Sequence, residues 1–537
     1  MFGMRVMEKR PLRLNLIARI SDLYKIKKAK AAVLVILLTG CAVLPPVEKT
    51  GESESMITSM EEEPDLSYEV PVSSPNILVN QLGYIRNGTK VAIFRGEEQP
   101  SEFYVVNEDT GERVFAGCPE EQEEGSEGQE MVCYGDFSEV TKGGTYYLEA
   151  PLLGKSYSFV VKDHLYDQLF REACRQYYYN RCGVTLTSEY AGEMAHNACH
   201  AGNSVLREDS SVSIDARGGW HQDEAGSKDV ITAARSIGVM LLAYELYGDS
   251  FGDDMGIPES GNGVPDILDE IKYEVEWLLK MQDQATGAVY KGVSVFEQSV
   301  GNGTVSYVEP ADMEAAKAFA MALAKFSYVY QDYDTVYATD CLKASDRAWK
   351  YTELNDGQGK EKDPWKFAAA AELYRASGLR SCQRFVTEYL QRESGQEEMD
   401  EITFLGSVTY ISTKLSVNLE LCEMITEKIM KKTKEISEDA RNSAYFVKEG
   451  SGNEHNHELL QNMMYLTMVD YMIANHEYEN LIEDHLHYFM GRNPQAICYI
   501  NNVGINNGRP ADDSMGIMKQ FDANSKLVFM LSEIVRK

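Results

Sequence analysis

Positive charge is scarce in this 537-residue chain: 52 lysines and arginines stand against 84 aspartates and glutamates, a formal net charge of -32. Such a surface repels a polyanion, so nucleic acid is excluded as a partner, while a neutral sugar polymer meets no comparable penalty. A disulfide framework is also missing. The ten cysteines show no paired spacing, and Cys174, Cys341, Cys382 and Cys422 fall in helix-like stretches that read as core. No period is clean enough to define repeats. The apolar run at 31–38, AAVLVILL, is too short to span a bilayer.

That run is an address. Lys25, Lys27, Lys28 and Lys30 precede it, and it ends in Leu38-Thr39-Gly40-Cys41. A basic region, an apolar region and small residues before a cut read as an export leader, here with the look of a bacterial lipobox. The expectation is a leader over 1–41, lipid on Cys41, and a protein anchored by that lipid at the bacterial cell surface. The long basic region leaves Met4 and Met7 open as alternative starts.

The length predicts more than one domain. Residues 42–75 are rich in Glu, Ser and Pro without periodicity, a solvated tether. Over 76–162, six or seven β-rich runs alternate with Gly, Asn and Asp turns, which predicts a small antiparallel sandwich. Its acidic insert at 119–130 reads as a solvated loop. From His164 onward β-signals nearly vanish. Eleven or twelve helical patterns fill 163–537, largely apolar ones alternating with amphipathic ones. That alternation suits an inner and an outer ring, an (α/α)6 toroid expected as a monomer.

The stretch from Tyr177 to Val230 concentrates the chemistry. Cys182, Cys199, His200 and His221 make a Cys2His2 set suited to a tetrahedral zinc. Four protein ligands leave no open position for water, so its role would be structural. Calcium is a second candidate ion with no assignable site. Tyr177, Tyr178 and Tyr179 read as helix packing, and Glu259, Asp266 and Asp269 as parts of a shaped loop and helix cap.

Several strings together resemble glycoside hydrolase family 9, the cellulase type with an N-terminal immunoglobulin-like domain. They are Asn80-Gln81-Leu82-Gly83-Tyr84, Arg181-Cys182-Gly183, HNACH at 196–200, Gly218-Gly219-Trp220-His221, IPESGNGVPDILDE at 257–270, and Gly491-Arg492-Asn493-Pro494. The resemblance covers about 76–537. It implies an open cleft on the barrel, a structural zinc at the Cys2His2 positions, and hydrolysis of β-1,4-linked glucans with inversion. It also implies that Trp220 is a sugar-stacking platform; His455 and Arg509 are further candidate sugar contacts, and His455 is also, with Glu454, a candidate general acid.

Inversion needs a general base and a general acid, their carboxyls roughly 6.5–9.5 Å apart with water between. The family takes its base from Asp-Ala-Gly-Asp directly after Gly-Gly-Trp-His. Here GGWHQDEAGSKDV puts Gln222 and Ala225 at those positions, and Asp223, Glu224 and Asp229 remain nearby. The family places its acid six residues before an asparagine that opens the last helix; counting back from Asn524 gives Met518. A methionine donates no proton. Glu454, in the string Asn453-Glu454-His455-Asn456-His457, is the substitute candidate, with Asp512 and Asp513 second. Two readings stay open: a cell-surface hydrolase with a non-standard acid/base pair built on Asp223, Asp229 and Glu454, or an inactive glycan-binding lipoprotein on the same scaffold.

Overall fold

The computed structural model describes residues 75–96, 99–121, 132–297, 304–356, 362–396, 398–450, 452–473, 476–500, 510–511 and 515–536. The expected leader, Cys41, nearly all of the tether, most of the acidic insert, Arg509, Asp512 and Asp513 lie outside them.

The strands from Ile77 to Lys162 form two sheets. One runs in the order Ile77–Leu78, Val91–Arg95, Val132–Asp136, Glu120–Glu121. The other runs Gly83–Ile85, Phe159–Lys162, Gly144–Ala150, Phe103–Asn107, Arg113–Gly117, with Gly154–Lys155 paired to the side. Alternate residues face inward as strand pleating requires. They meet in an aromatic core: Tyr84 packs edge-on against Phe137 at 5.2 Å and Phe159 at 5.4 Å, and Phe94 lies 5.2 Å from Phe103.

Beyond Asp167 the apolar helices take the inner positions. Val230–Tyr247 packs on Met313–Tyr330, that on Pro364–Ser377, and that on Glu401–Ser412. Phe404 then meets Tyr465 of Asn453–Met472 at 4.7 Å, and Phe521–Ile534 closes the ring against Val230–Tyr247. The amphipathic helices Asp167–Tyr179, Asp266–Lys280, Thr335–Asn355, Arg380–Arg392, Leu419–Arg441 and Glu479–Phe489 lie outside. Burial is nearly continuous along the inner set, as a two-sided apolar helix requires. Cys174, Cys341, Cys382 and Cys422 are buried free thiols.

Four inner helices start on an aspartate whose Oδ1 accepts a first-turn N–H: Asp229 from Thr232 at 2.9 Å, Asp312 from Ala315 at 2.8 Å, Asp363 from Lys366 at 3.0 Å and Asp400 from Thr403 at 2.9 Å. These caps satisfy N–H groups that a helix start leaves without intrahelical partners. Inner helices alternate with outer ones, so the capped ends share one mouth of the ring.

One expectation is corrected. A five-stranded sheet lies within the helical half, ordered Ser213–Ile214, Ser204–Leu206, Thr304–Val308, Gly292–Glu297, Lys228–Asp229. Strands of two to six residues drawn from two separate loops show too little alternation to stand out in sequence.

Two of the singled-out strings turn out to grip each other. Gln81 N–H donates to Met490 O and Gln81 Nε2 to Ala496 O, both at 2.8 Å, while Asn80 Nδ2 meets His487 Nδ1 at 2.9 Å. Arg95 returns a bond to Pro494 O, and Arg492 one to Val91 O at 3.3 Å. Gly491 sits at φ 111°, and a Cβ there would come within 2.2 Å of Gln81 Nε2. Gly491→Ala is therefore expected to cost at least about 2 kcal/mol, read as a lowered thermal midpoint; an unchanged midpoint would show that this clasp is dispensable.

Candidate active site and metal centre

Asn180 to Asp229 forms a loop whose apolar content is too low to hold it, and three polar devices fix it. First, Arg181 is buried and bonds both Glu259 oxygens at 2.9 and 3.1 Å and Glu270 at 2.8 and 3.1 Å. Second, Asp266 accepts from Ser260 Oγ at 2.7 Å and Asp269 from Asn262 Nδ2 at 3.0 Å, so the 257–270 string shapes its own turn.

The third device is the Cys2His2 group. The ligand atoms of Cys182, Cys199, His200 and His221 all lie within 4.8 Å of one another. Cys199 Sγ is 3.3 Å from His221 Nε2, and Cys182 Sγ is 3.8 Å from His200 Nδ1. A tetrahedral ion with two thiolates and two imidazoles has edges of about 3.3–3.8 Å, so the set needs only a slight contraction. Gly226 makes room for it: a Cβ there would sit 2.4 Å from His200 Cε1. Donors also reach the sulfurs, Gly183 N–H to Cys199 at 3.4 Å and Lys228 Nζ to Cys182 at 3.6 Å. The neighbouring Cys182 thiol and His221 lower the pKa of Cys199, while the contact with Cys199 and burial raise that of Cys182. The residues fit a metal ion.

The loop delivers its end to a cavity of about 690 Å³ lined by Gln222, Asp223, Asp229, Lys291, Ser294, Glu309 and Asp312, among others. Gln222 follows His221 of the Cys2His2 group and clamps the backbone of Asp229 with both amide atoms, at 2.8 and 3.0 Å. Lys228–Asp229 pairs with Gly292–Val293. Asp229 Oδ1 is spent on Thr232 N and Oγ1. Oδ2 has no hydrogen bond among the described residues, which leaves a carboxylate oxygen for the cavity. Asp312 caps the neighbouring inner helix in the same way. Sequence reasoning passed over Asp312, although an aspartate directly before an apolar helix was the signal Asp229 also gave. Asp223 is exposed on the rim, its Oδ1 accepting from Ser227 N–H at 2.8 Å.

Other expected residues are placed elsewhere. Trp220 is 0% exposed, packed 4.7 Å from Tyr177 and stacked 5.8 Å from Phe521. The expectation of a sugar platform is corrected: the indole is interior and offers no face to a ligand. His455 is 6% exposed, lies against Gly450 and edge-on to Tyr488, and burial lowers its pKa. As a sugar contact it is likewise corrected. Glu454 is exposed in the first turn of Asn453–Met472 and does not line the cavity. Met518, at the expected acid position, is 4% exposed in the turn Ile517–Lys519.

Ion pairs that sequence reasoning missed occupy the centre of the mouth. Lys526 Nζ bridges Glu401 at 3.0 Å and Asp522 at 2.6 Å, and Arg235 reaches Asp522 at 3.5 Å. Burial pushes both carboxyls up; for Asp522, Lys526 and Arg235 outweigh it and hold the group down, while Glu401 stays raised.

A model of "Glycosyl hydrolase family 9" matches residues 166–512 of the chain, and one of the "Cellulase N-terminal ig-like domain" matches residues 72–155. Endoglucanase D of Acetivibrio thermocellus is 27% identical over 461 residues, 80% of this chain and 73% of its own length. A cellodextrinase of Butyrivibrio fibrisolvens is 28% identical over 485 residues, 80% of this chain and 85% of its own. A xyloglucan-specific endo-beta-1,4-glucanase of Bacteroides ovatus is 31% identical over 294 residues, 52% of this chain and 50% of its own. The solved structure of a metagenome-derived family 9 endoglucanase superposes with a TM-score of 0.74 at 23% identity, covering 86% of this chain and 99% of that one. At that identity the superposition speaks for the fold alone.

The metal group gives a direct prediction. Purified protein is expected to hold one zinc ion per chain by elemental analysis. At free zinc a thousandfold above the dissociation constant, the ion adds about 4 kcal/mol of stability, visible as a thermal midpoint that falls on chelation and returns with zinc. Cys182→Ser should lose both the ion and the response; a midpoint indifferent to chelator in the wild type would show that the four side chains hold no ion.

Proposed function

This chain belongs to glycosyl hydrolase family 9, and from that premise we propose that it hydrolyses β-1,4-linked glucan with inversion, using a carboxylate pair other than the family's usual one. Asp229 is the general base. The observation that carries this reading is the free Oδ2 of Asp229 at the cavity, on the residue where the metal-fixed loop after Gly-Gly-Trp-His ends. Gln222 and the strand pairing with Gly292 hold that carboxylate in place without touching Oδ2. A base so placed takes a proton from water while a second carboxyl protonates the departing oxygen. Asp312, facing the same cavity from the next inner helix, and Glu454 are the two donors to be compared; Asp223 lies further out on the rim. The loop metal is read as a structural zinc: Cys182, Cys199, His200 and His221 would hold it, and it would supply rigidity and no catalytic step. Residues 1–41 are read as a leader ending at a lipidated Cys41, which places a monomeric enzyme at the cell surface.

A second reading has its own observation. Asp363 and Asp400 make the same cap as Asp229, and Met518 fills the family's acid position. On that reading the chain binds glycan without cleaving it.

Asparagine caps a helix as well as aspartate does, so Asp229→Asn removes the charge and keeps the fold. With protein lacking residues 1–41, reducing-sugar release from β-1,4-glucans is expected to fall about 100- to 10,000-fold in kcat for Asp229→Asn, with KM little changed. A comparable loss in Asp312→Asn or Glu454→Gln assigns the donor. Wild-type protein that binds these glucans and releases no sugar would overturn the hydrolase and leave the binding protein.

A further inference from the structure

We propose that the outward face of the five-stranded sheet is a glycan subsite, with Phe296 as the platform on which a sugar ring of a β-linked chain stacks as that chain leaves the cavity. The proposal rests on the β-glucan reading above and names a binding surface which that reading does not contain.

The geometry starts from the register of two strands. Gly292–Glu297 pairs antiparallel with Thr304–Val308, Ser294 opposite Tyr307 and Phe296 opposite Val305. Val293, Val295 and Val308 are buried, so strand alternation turns Ser294, Phe296 and Tyr307 to the other face. Phe296 is 50% exposed; among the described residues no other phenylalanine or tryptophan is exposed. A phenyl ring left in water forgoes the burial that a core position supplies, and such a ring beside a binding cavity marks a contact surface.

The face is continuous with the cavity. Ser294 and Glu309 line that cavity, and Phe296 lies two residues beyond Ser294 on the same face, about 7 Å along the strand, close to the length of one pyranose ring. Arg207 joins the two regions. Its guanidinium lies 5.2 Å from the Phe296 ring and 4.6 Å from the Tyr307 ring. It also forks onto Glu309, with contacts of 2.6 to 2.9 Å. The aromatic rings are thus steadied from one side, with a planar donor and a carboxylate beside them.

That chemistry fits a sugar chain better than a protein partner. A pyranose offers an apolar C–H face to an aromatic ring and hydroxyls at its edge to a guanidinium–carboxylate fork. The apolar strip is one ring wide and bordered by charge, too narrow for a protein interface. It also supplies what the buried Trp220 does not, an aromatic face open to solvent next to the carboxylates.

The test uses the Asp229→Asn protein, so that no ligand is consumed, and titrates it calorimetrically with β-1,4-linked gluco-oligosaccharides of two to six units. Adding Phe296→Ala is expected to weaken the hexamer about 5- to 10-fold, as loss of one stacked ring implies, and to leave the dimer unchanged; Phe296→Trp should restore the hexamer. Hexamer affinity unchanged in Phe296→Ala would overturn the subsite, and so would equal losses for dimer and hexamer. If the parent protein binds no member of the series, the β-glucan reading falls and the subsite with it.

Discussion

The guanidinium of Arg181 is the constraint on which the site depends. It is buried, bonded to Glu259 and Glu270, and lies 5.1 Å from the ring of Tyr178 and 4.6 Å from that of Tyr273. A buried cation is stable only when its charge and donors are answered, and here the 257–270 string, far from Arg181 in sequence, answers them. Burial pushes Glu270 up to about 7 although Arg181 opposes the shift, so the arrangement is costly to disturb from either side. The next residue is Cys182 of the Cys2His2 group, whose N–H donates to Gly219 O at 2.7 Å and whose carbonyl accepts from Tyr273 Oη at 2.5 Å. The Cys2His2 group is therefore hung from a point already fixed, at the start of the path that leads to Asp229.

Lys228 passes that constraint on. It is buried, bonds the carbonyls of Ala216 and Gly218 at 2.7 Å each, and points at Cys182. Its neighbour Asp229 caps an inner helix. Loop, metal group and barrel mouth thus meet in two consecutive residues, one turned toward the sulfur and one toward the cavity. The clasp between Asn80-Gln81 and the 490–496 segment does a different job at the sandwich: side-chain amides satisfy backbone carbonyls across the junction, as buried carbonyls require.

Much of this was legible because it rests on residue types with few alternative uses. Two cysteines and two histidines within one short stretch have few structural roles together, and an aspartate before an apolar run is a helix start. The sandwich followed from alternation and the ring from two kinds of helix. What stayed hidden depended on orientation. Trp220 and Phe296 are both aromatic residues near the site, and nothing in their local strings says which faces inward. Trp220 follows two glycines that let the chain turn it under the loop, against Tyr177 and Phe521. Phe296 faces out because Val293 and Val295 set the phase of its strand. The links from Arg235 to Asp522 and from Lys526 to Glu401 were equally invisible, since each joins two separate helices; Asp522 and Lys526 are an i,i+4 pair on one helix.

Those ion pairs bear on which chemistry the mouth supports. A proton donor for a leaving oxygen must be held neutral, and burial away from cations does that. Glu401 is buried and its pKa stays raised although Lys526 stands 3.0 Å from it; Asp522 is held down by two cations. Asp522 does not suit a donor, although it stands only four residues from Met518; Glu401 does not line the cavity that Asp229 faces. Asp312 has no ion pair among the described residues: its carboxylate caps its own helix and faces the cavity it shares with Asp229. As the candidate donor, Asp312 caps the helix next to the one that Asp229 caps. That placement keeps both carboxyls on one wall of the cavity. The fold permits it because every inner helix presents its first turn at the same mouth.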